Sequence, residues 1–234
     1  MWWEFVFEPT TLFSLKASDA TNAAGKALLC PSPYAVKMAL LNAICTYDKV
    51  DTAVQYFDLI KSLKIEFALP EYIVVNNCFL RIMQESRSET RQVNPNVMFK
   101  STVAFREYLY LSGDIKIAIN SDLLLEKHSL NFLKSYFAKI NYFGKRGCFF
   151  QLKYFSDNAI SELPTEYTRE LTDKNYFSDG RANILSKVDD FGDKATFEKV
   201  NNFSKEKTDR VFKIICLPFK VFKSNKEFSI LERN

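Results

Sequence analysis

A single histidine, His128, is all this 234-residue chain offers of the side chain that most often moves protons near neutral pH. It falls in or near the helix expected after Asn120, with no acid–base partner beside it in sequence, and reads as a structural residue. The five cysteines, Cys30, Cys45, Cys78, Cys148 and Cys216, form no CxxC pair and are odd in number. That spacing argues against a disulfide framework and a zinc site, and favours a reducing cytoplasm. Walker loops, GxSxG elbows and zinc-ligand spacings are missing too, so no cofactor, metal or catalytic residue is expected. No apolar run approaches the length of a membrane span. The start, Met1-Trp2-Trp3-Glu4, lacks the basic region and apolar run of a signal peptide, which fits a cytoplasmic protein without a membrane partner.

Acidic residues are missing in a patterned way. None lies between Lys127 and Ser156, a stretch that carries Lys127, Lys134, Lys139, Lys145, Arg146 and Lys153. None lies between Ala20 and Tyr47, which contains Lys26 and Lys37. In a chain of net charge only +4, two acid-free basic stretches predict one positive face and a polyanionic partner. Aromatics are abundant at 15%, enough for a core and for base-stacking platforms.

Trp2 to Leu15 reads as a strand bent at Pro9. Ser32-Pro33 starts a helix, with Ser as N-cap and Pro in the first position, running to about Tyr47. A second helix is expected over Thr52–Leu63, and an extended stretch over Lys64–Met83. Gln84–Thr102 is polar and without period, the mark of a functional connection. Phe105–Asn120 reads as a hairpin closed by Ser112-Gly113-Asp114, with Arg106, Tyr108 and Tyr110 on one face. Asp122 to about Tyr142 is helical and stops at Gly144. Cys148–Tyr154 is a strand, 157–210 a polar surface insertion, and Val211–Val221 and Glu227–Leu231 closing strands. The order is βαββαβ, predicting an α+β, ferredoxin-like (RRM-like) domain over 1–234 with a C-terminal insertion.

The sharpest local signal is Gly144-Lys145-Arg146-Gly147, between the second helix and a strand. Glycines at both ends allow positive φ, so backbone amides can face an anion while Lys145 and Arg146 add charge. The alternative is a helix C-cap at Gly144 with cations against the helix's negative end. Lys26 and the helix beginning near Tyr34 could contact phosphate, or form an ordinary capped helix start. Arg106 and Tyr108 could contact RNA, or lie on a solvated or protein-facing strand surface. Arg81, Arg91 and Lys100 flank or lie in the long connection and could form a basic arm.

Three blocks resemble one family. They are Gly25-Lys26-Ala27-Leu28-Leu29-Cys30-Pro31-Ser32-Pro33-Tyr34 with the following helix to Ala43, Phe105-Arg106-Glu107-Tyr108-Leu109, and Tyr142 to Gln151 around the glycine-bracketed turn. Together they resemble the fifth Cas protein family, the RAMP-type subunit of type I CRISPR Cascade complexes, and look nearest to type I-A and I-B members. The resemblance covers roughly residues 1–155. It implies a thumb hairpin, for which 84–102 is the candidate, and one copy per complex, capping the 5′ handle of the guide RNA (crRNA). It implies the Cascade backbone subunit and the large PAM-reading subunit as neighbours, with target DNA near the PAM a further partner. The setting could be antiviral defence or RNA-guided transposition. Lys26, Lys145 and Arg146 map as the best handle contacts. One branch of the family cleaves precursor crRNA with a Tyr, Lys and His set. This chain offers no clear equivalent of that histidine, so no nuclease activity is expected. The alternative is a metal-independent endoribonuclease that processes the precursor.

Overall fold

A computed structural model describes residues 1–16, 26–85, 98–121, 127–172, 183–200 and 204–234, without the side chains of residues 127 and 128. The fold is mixed α+β with antiparallel sheets. Strand β1 (Trp3–Pro9) is followed by α1 (Pro33–Tyr47), the short helices α2 (Val50–Gln55) and α3 (Phe57–Ser62), and β2 (Lys64–Ala68). Next come β3 (Tyr72–Glu85), β4 (Phe99–Leu111), β5 (Ile115–Asn120), α4 (Lys127–Phe137) and β6 (Phe150–Phe155). The C-terminal part holds β7 (Arg169–Glu170), β8 (Ile184–Phe191), α5 (Phe197–Val200), β9 (Arg210–Leu217), β10 (Phe219–Ser224) and β11 (Phe228–Arg233).

The central sheet has the order β2-β5-β1-β6, all antiparallel. Alternation decides its faces. Phe5, Phe7, Ile65, Phe67, Ile115, Ile117 and Ile119 point into the core beneath α1 and α4. Phe5 stacks on Phe137 with ring centroids 4.1 Å apart. Helix α1 starts where the sequence predicts: the Ala35 amide donates to Ser32 Oγ over 3.2 Å, and Pro33 occupies the first turn. The helix expected over Thr52–Leu63 is broken at Tyr56 into α2 and α3.

The hairpin expected over Phe105–Asn120 does not form. Ser112-Gly113-Asp114 instead passes the chain between two sheets. β4 pairs with β3 from Ile73↔Leu111 to Glu85↔Phe99, while β5 pairs with β1 and β2. The reason is burial. Ile115, Ile117 and Ile119 on one face and Ala118 on the other are all covered, which suits a central strand. Gln84, Glu85 and Phe99–Thr102 belong to this long β3–β4 arm, and residues 86–97 lie outside the described residues.

The segment 157–210 is more than a polar surface insertion. Tyr167 covers Ala68 and Ala118 on the open face of the central sheet. Strand β8 joins β7 and β9 in a third sheet and sends Val188 and Phe191 into the main core. Lys37, expected to add to a positive face, is buried beside Asp190 of β8, with Nζ 2.5 Å from Oδ1. A salt bridge between residues so far apart in sequence leaves no local signal.

Glu66 on β2 lies under the same cover. Burial pushes its carboxyl up from the usual 4.5 to about 7, and Glu170 adds to the rise. The Thr168 hydroxyl, which donates to Glu66, and Lys213 oppose it. Between these two values the folded chain holds a proton that the unfolded chain releases. Glu66 therefore costs stability progressively as pH rises through that window. A Glu66→Gln variant is expected to gain stability over the wild type from pH 4.5 to 7, measured by urea titration at several pH values. A constant difference across that range would contradict the assignment.

Candidate nucleic-acid interface

The turn from Gly144 to Gly147 is held out by anchors on either side. Before it, Phe143 is fully buried, edge-on to Phe7 at 5.1 Å. After it, Cys148 is buried, and its sulfur accepts from the Ser14 amide over 3.3 Å. Thr11 braces the exit: its hydroxyl donates to Gly147 O and accepts from the Phe149 amide, both at 2.8 Å. A bridge between Tyr142 and Phe149 closes the base. Helix α4 ends at Phe137, well before Gly144, so the helix C-cap alternative does not hold.

Both glycines adopt positive φ, 73° and 100°. Their side-chain space differs. A Cβ on Gly144 would stand 2.7 Å from Leu15 Cδ1, whereas one on Gly147 would meet nothing within 4 Å. Gly144→Ala is expected to cost about 2 kcal/mol or more, from clash plus left-handed strain, and Gly147→Ala about 1 kcal/mol from strain alone. Denaturant titration of the two variants side by side checks the order.

Part of the turn's backbone is engaged within it. The Lys145 amide donates to Phe143 O over 3.0 Å, and the Cys148 amide to Lys145 O over 3.1 Å. These amides close the turn instead of facing a ligand. The turn also presents side-chain charge: residues 144 to 147 are all exposed.

Three clefts meet at the turn. The first, about 480 Å3, lies between the β3–β4 arm and the 14–16 segment, and is lined by Lys16, Arg106 and Lys145. The second, about 370 Å3, lies along α1 and is lined by Lys16, Tyr34, Asn42, Gly144 and Arg210. The third, about 320 Å3, is lined by Asn42, Tyr47, Lys139 and Arg146. Leu15 and Lys16 are shared by the first two, and Ala39, Asn42 and Tyr142 by the last two, so the clefts form one groove. Lys145 faces one end and Arg146 the other. The two acidic residues lining these clefts are both engaged: Glu107 accepts the Ala27 amide at 2.7 Å, and Asp189 pairs with Arg210 at 3.2 Å. Lys16, Lys139, Lys145, Arg106, Arg146 and Arg210 outnumber them, so the groove carries net positive charge.

The structure thus brings together Tyr34, Arg106, Gly144, Lys145 and Arg146 of the residues expected from sequence, with Gly147 closing the turn. Lys26 is exposed at the near end, next to Ala27 of the first cleft. Arg106, Tyr108 and Tyr110 share a face of β4, as expected; Tyr108 is half-buried opposite Asn76 and lines none of these clefts. Lys100 is exposed farther out on the same face. Arg81 lies on the opposite face of the arm, its Nε donating to Ser101 Oγ over 2.9 Å. Arg91 lies outside the described residues. From the acid-free stretch, Lys134 and Lys153 are taken up by Asp157 and Asp114 at 2.9 and 3.0 Å. The sequence reading missed Lys16 and Arg210. Neither sits in a basic run, and Arg210 reaches the groove only because β9 folds back beside α1.

No family profile and no curated protein matches the sequence. Among solved structures, the chain is similar to a CRISPR protein from Archaeoglobus fulgidus, at 11% identity and a TM-score of 0.44, covering 100% of this chain and 92% of that one. It is also similar to a chain from a CRISPR RNA-guided surveillance complex, at 14% identity and a TM-score of 0.45, covering 92% and 90%. At such identities and TM-scores, neither likeness fixes a fold family or a role for this chain. Among the described residues, no helix is long and apolar enough to cross a membrane.

Proposed function

We propose that this protein is a non-catalytic, guide-RNA-binding subunit of a type I CRISPR Cascade complex. It caps the 5′ handle of the crRNA and meets the backbone and large subunits for RNA-guided DNA targeting. The observation that carries the proposal is the groove, where an exposed glycine-bracketed turn aims Lys145 and Arg146 into clefts on either side of it. Such side-chain charge suits phosphates, and Arg can grip one through two parallel hydrogen bonds.

Two further observations support this reading. The three blocks that carry the family resemblance are far apart in sequence yet meet at this groove: Tyr34 on α1, Arg106 on β4, and the turn itself. The central strands, taken in the order β1-α1-β2-β5-α4-β6, suit a ferredoxin-like unit, and the β3–β4 arm suits its thumb.

A binding role is supported by the composition of the groove. Its described lining residues supply cations, tyrosines and two asparagine amides, groups that suit phosphates and bases. Purified protein incubated with repeat RNA in EDTA is expected to bind it, with log affinity falling linearly against log salt, and to leave it at full length. A discrete handle-bearing product would establish the processing endoribonuclease in its place.

A further inference from the structure

Tyr34 and Arg210 form a stack that the phosphate contacts do not use. Tyr34 comes from the first turn of α1 and Arg210 from the start of β9. The guanidinium carbon lies 3.8 Å from the ring centroid, and Nη2 donates to the Tyr34 hydroxyl over 3.0 Å. Nη1 meets the buried carboxylate of Asp189 at 3.2 Å, and Phe191 braces the tyrosine ring edge-on at 5.0 Å. Arg210 is therefore held over the ring by two hydrogen bonds and the stack itself, yet remains exposed at the wall of the second cleft.

A guanidinium fixed over an aromatic ring has one covered face and one face left for a flat partner. Unpaired bases stack on such planes. Asn42 is exposed on the same side of α1, about two turns beyond Tyr34, and lines the same cleft. Its amide offers a donor and an acceptor side by side, the pairing that a base edge needs. The start of α1 contributes little here, because the amides of Ala35 and Val36 are taken by Ser32 at 3.2 and 3.1 Å.

We infer that this cleft takes one unpaired nucleobase of the bound RNA, stacked on Arg210 with its edge toward Asn42. The inference rests on the RNA-binding role proposed above and deepens it. The turn holds the backbone on phosphates, and the cleft between Gly144 and Tyr34 admits a base, so recognition gains a sequence-dependent element.

The test uses the full chain and repeat RNA carrying 2-aminopurine, or an abasic unit, at one handle position at a time. One position is expected to lose 2-aminopurine fluorescence on binding, and an abasic unit there to weaken wild-type binding about 10-fold. Arg210→Lys keeps the charge beside Asp189 but removes the flat stacking surface. It is expected to restore the fluorescence and to weaken intact RNA about as much, with no further loss on abasic RNA. Asn42→Ala is expected to change the preferred base at that position. RNA that binds with its salt dependence intact, yet shows no position sensitive to base removal, would overturn the cleft and leave the handle-binding role standing. A salt slope unchanged by Arg210→Lys combined with a base-independent loss would mark Arg210 as a phosphate contact and overturn it equally. Failure of the wild type to bind RNA would remove the role itself.

Discussion

Replacing Lys37 with alanine is expected to lower the unfolding free energy by about 3 kcal/mol, the low end of the cost of breaking a buried ion pair, because Lys213 still reaches Asp190 Oδ2 over 3.4 Å. The Lys37 and Asp190 side chains are 1% and 7% exposed, and Nζ lies 2.5 Å from Oδ1. Nζ also donates to Lys61 O over 2.9 Å, and Asp190 Oδ1 accepts the Phe191 amide at 2.8 Å. Burial pushes the ammonium down from its usual value, while Asp190 pushes it back up. The pair fastens α1 to β8, so its loss would also free the strand pair that carries Asp189 and Arg210. Folded domains are commonly stable by about 5–15 kcal/mol, so the variant would be marginal. Lys37→Met combined with Asp190→Leu is expected to recover only part of the loss, because Lys213, 3.4 Å from Asp190 Oδ2, then gives up that partner and keeps Glu170 alone. Urea titration of the single and double variants measures both. A single variant within about 1 kcal/mol of the wild type would show that the ion pair does not fasten this junction.

The second large effect is on RNA. Lys145→Ala with Arg146→Ala should weaken repeat-RNA binding about 100-fold, taking about 1.5 kcal/mol for each charged contact. It should also reduce the slope of log affinity against log salt by about 1.4, if each cation neutralises one phosphate of a single strand. Stability should hardly change, because both side chains are exposed and the turn is built by Phe143, Cys148, Thr11 and the two glycines. That separation matters: an affinity loss with an unchanged unfolding midpoint comes from the groove rather than from the fold. Arg146→Lys should recover part of the loss only, since ammonium cannot reproduce a two-pronged grip.

Local chemistry was legible in the sequence wherever neighbours in the chain decide the structure. Ser32-Pro33 predicts the start of α1, and Gly144 and Gly147 predict positive φ, because caps and left-handed backbone are matters of a few residues. Alternation in Ile115, Ile117 and Ile119 marks a strand but not its partner. A strand with one face of isoleucine looks the same beside β4 as in the centre of a sheet; the covering of Ala118 by Tyr167 decides the case, and that contact is long-range. Acid-free windows were an incomplete guide to the positive face for the same reason. Lys37, Lys134 and Lys153 each find a carboxylate outside their own window, whereas Lys145 and Arg146 do not pair with one in the described structure. Arg210 sits in a mixed-charge segment that reads as surface, and only the return of β9 beside α1 brings it to Tyr34. The amides of the turn show a limit of a different kind. Glycine spacing permits a nest of free N–H groups, but the short contact to Phe143 O consumes one of them.

The most direct measurement of the account is a photochemical crosslink from the handle phosphates of repeat RNA to the intact protein, read out by peptide mapping. Adducts concentrated on the segment between Phe143 and Cys148, and competed away by unlabelled RNA, are the predicted result. Adducts confined to β10 and β11, which line none of these clefts, with none on Lys145 or Arg146, would contradict it.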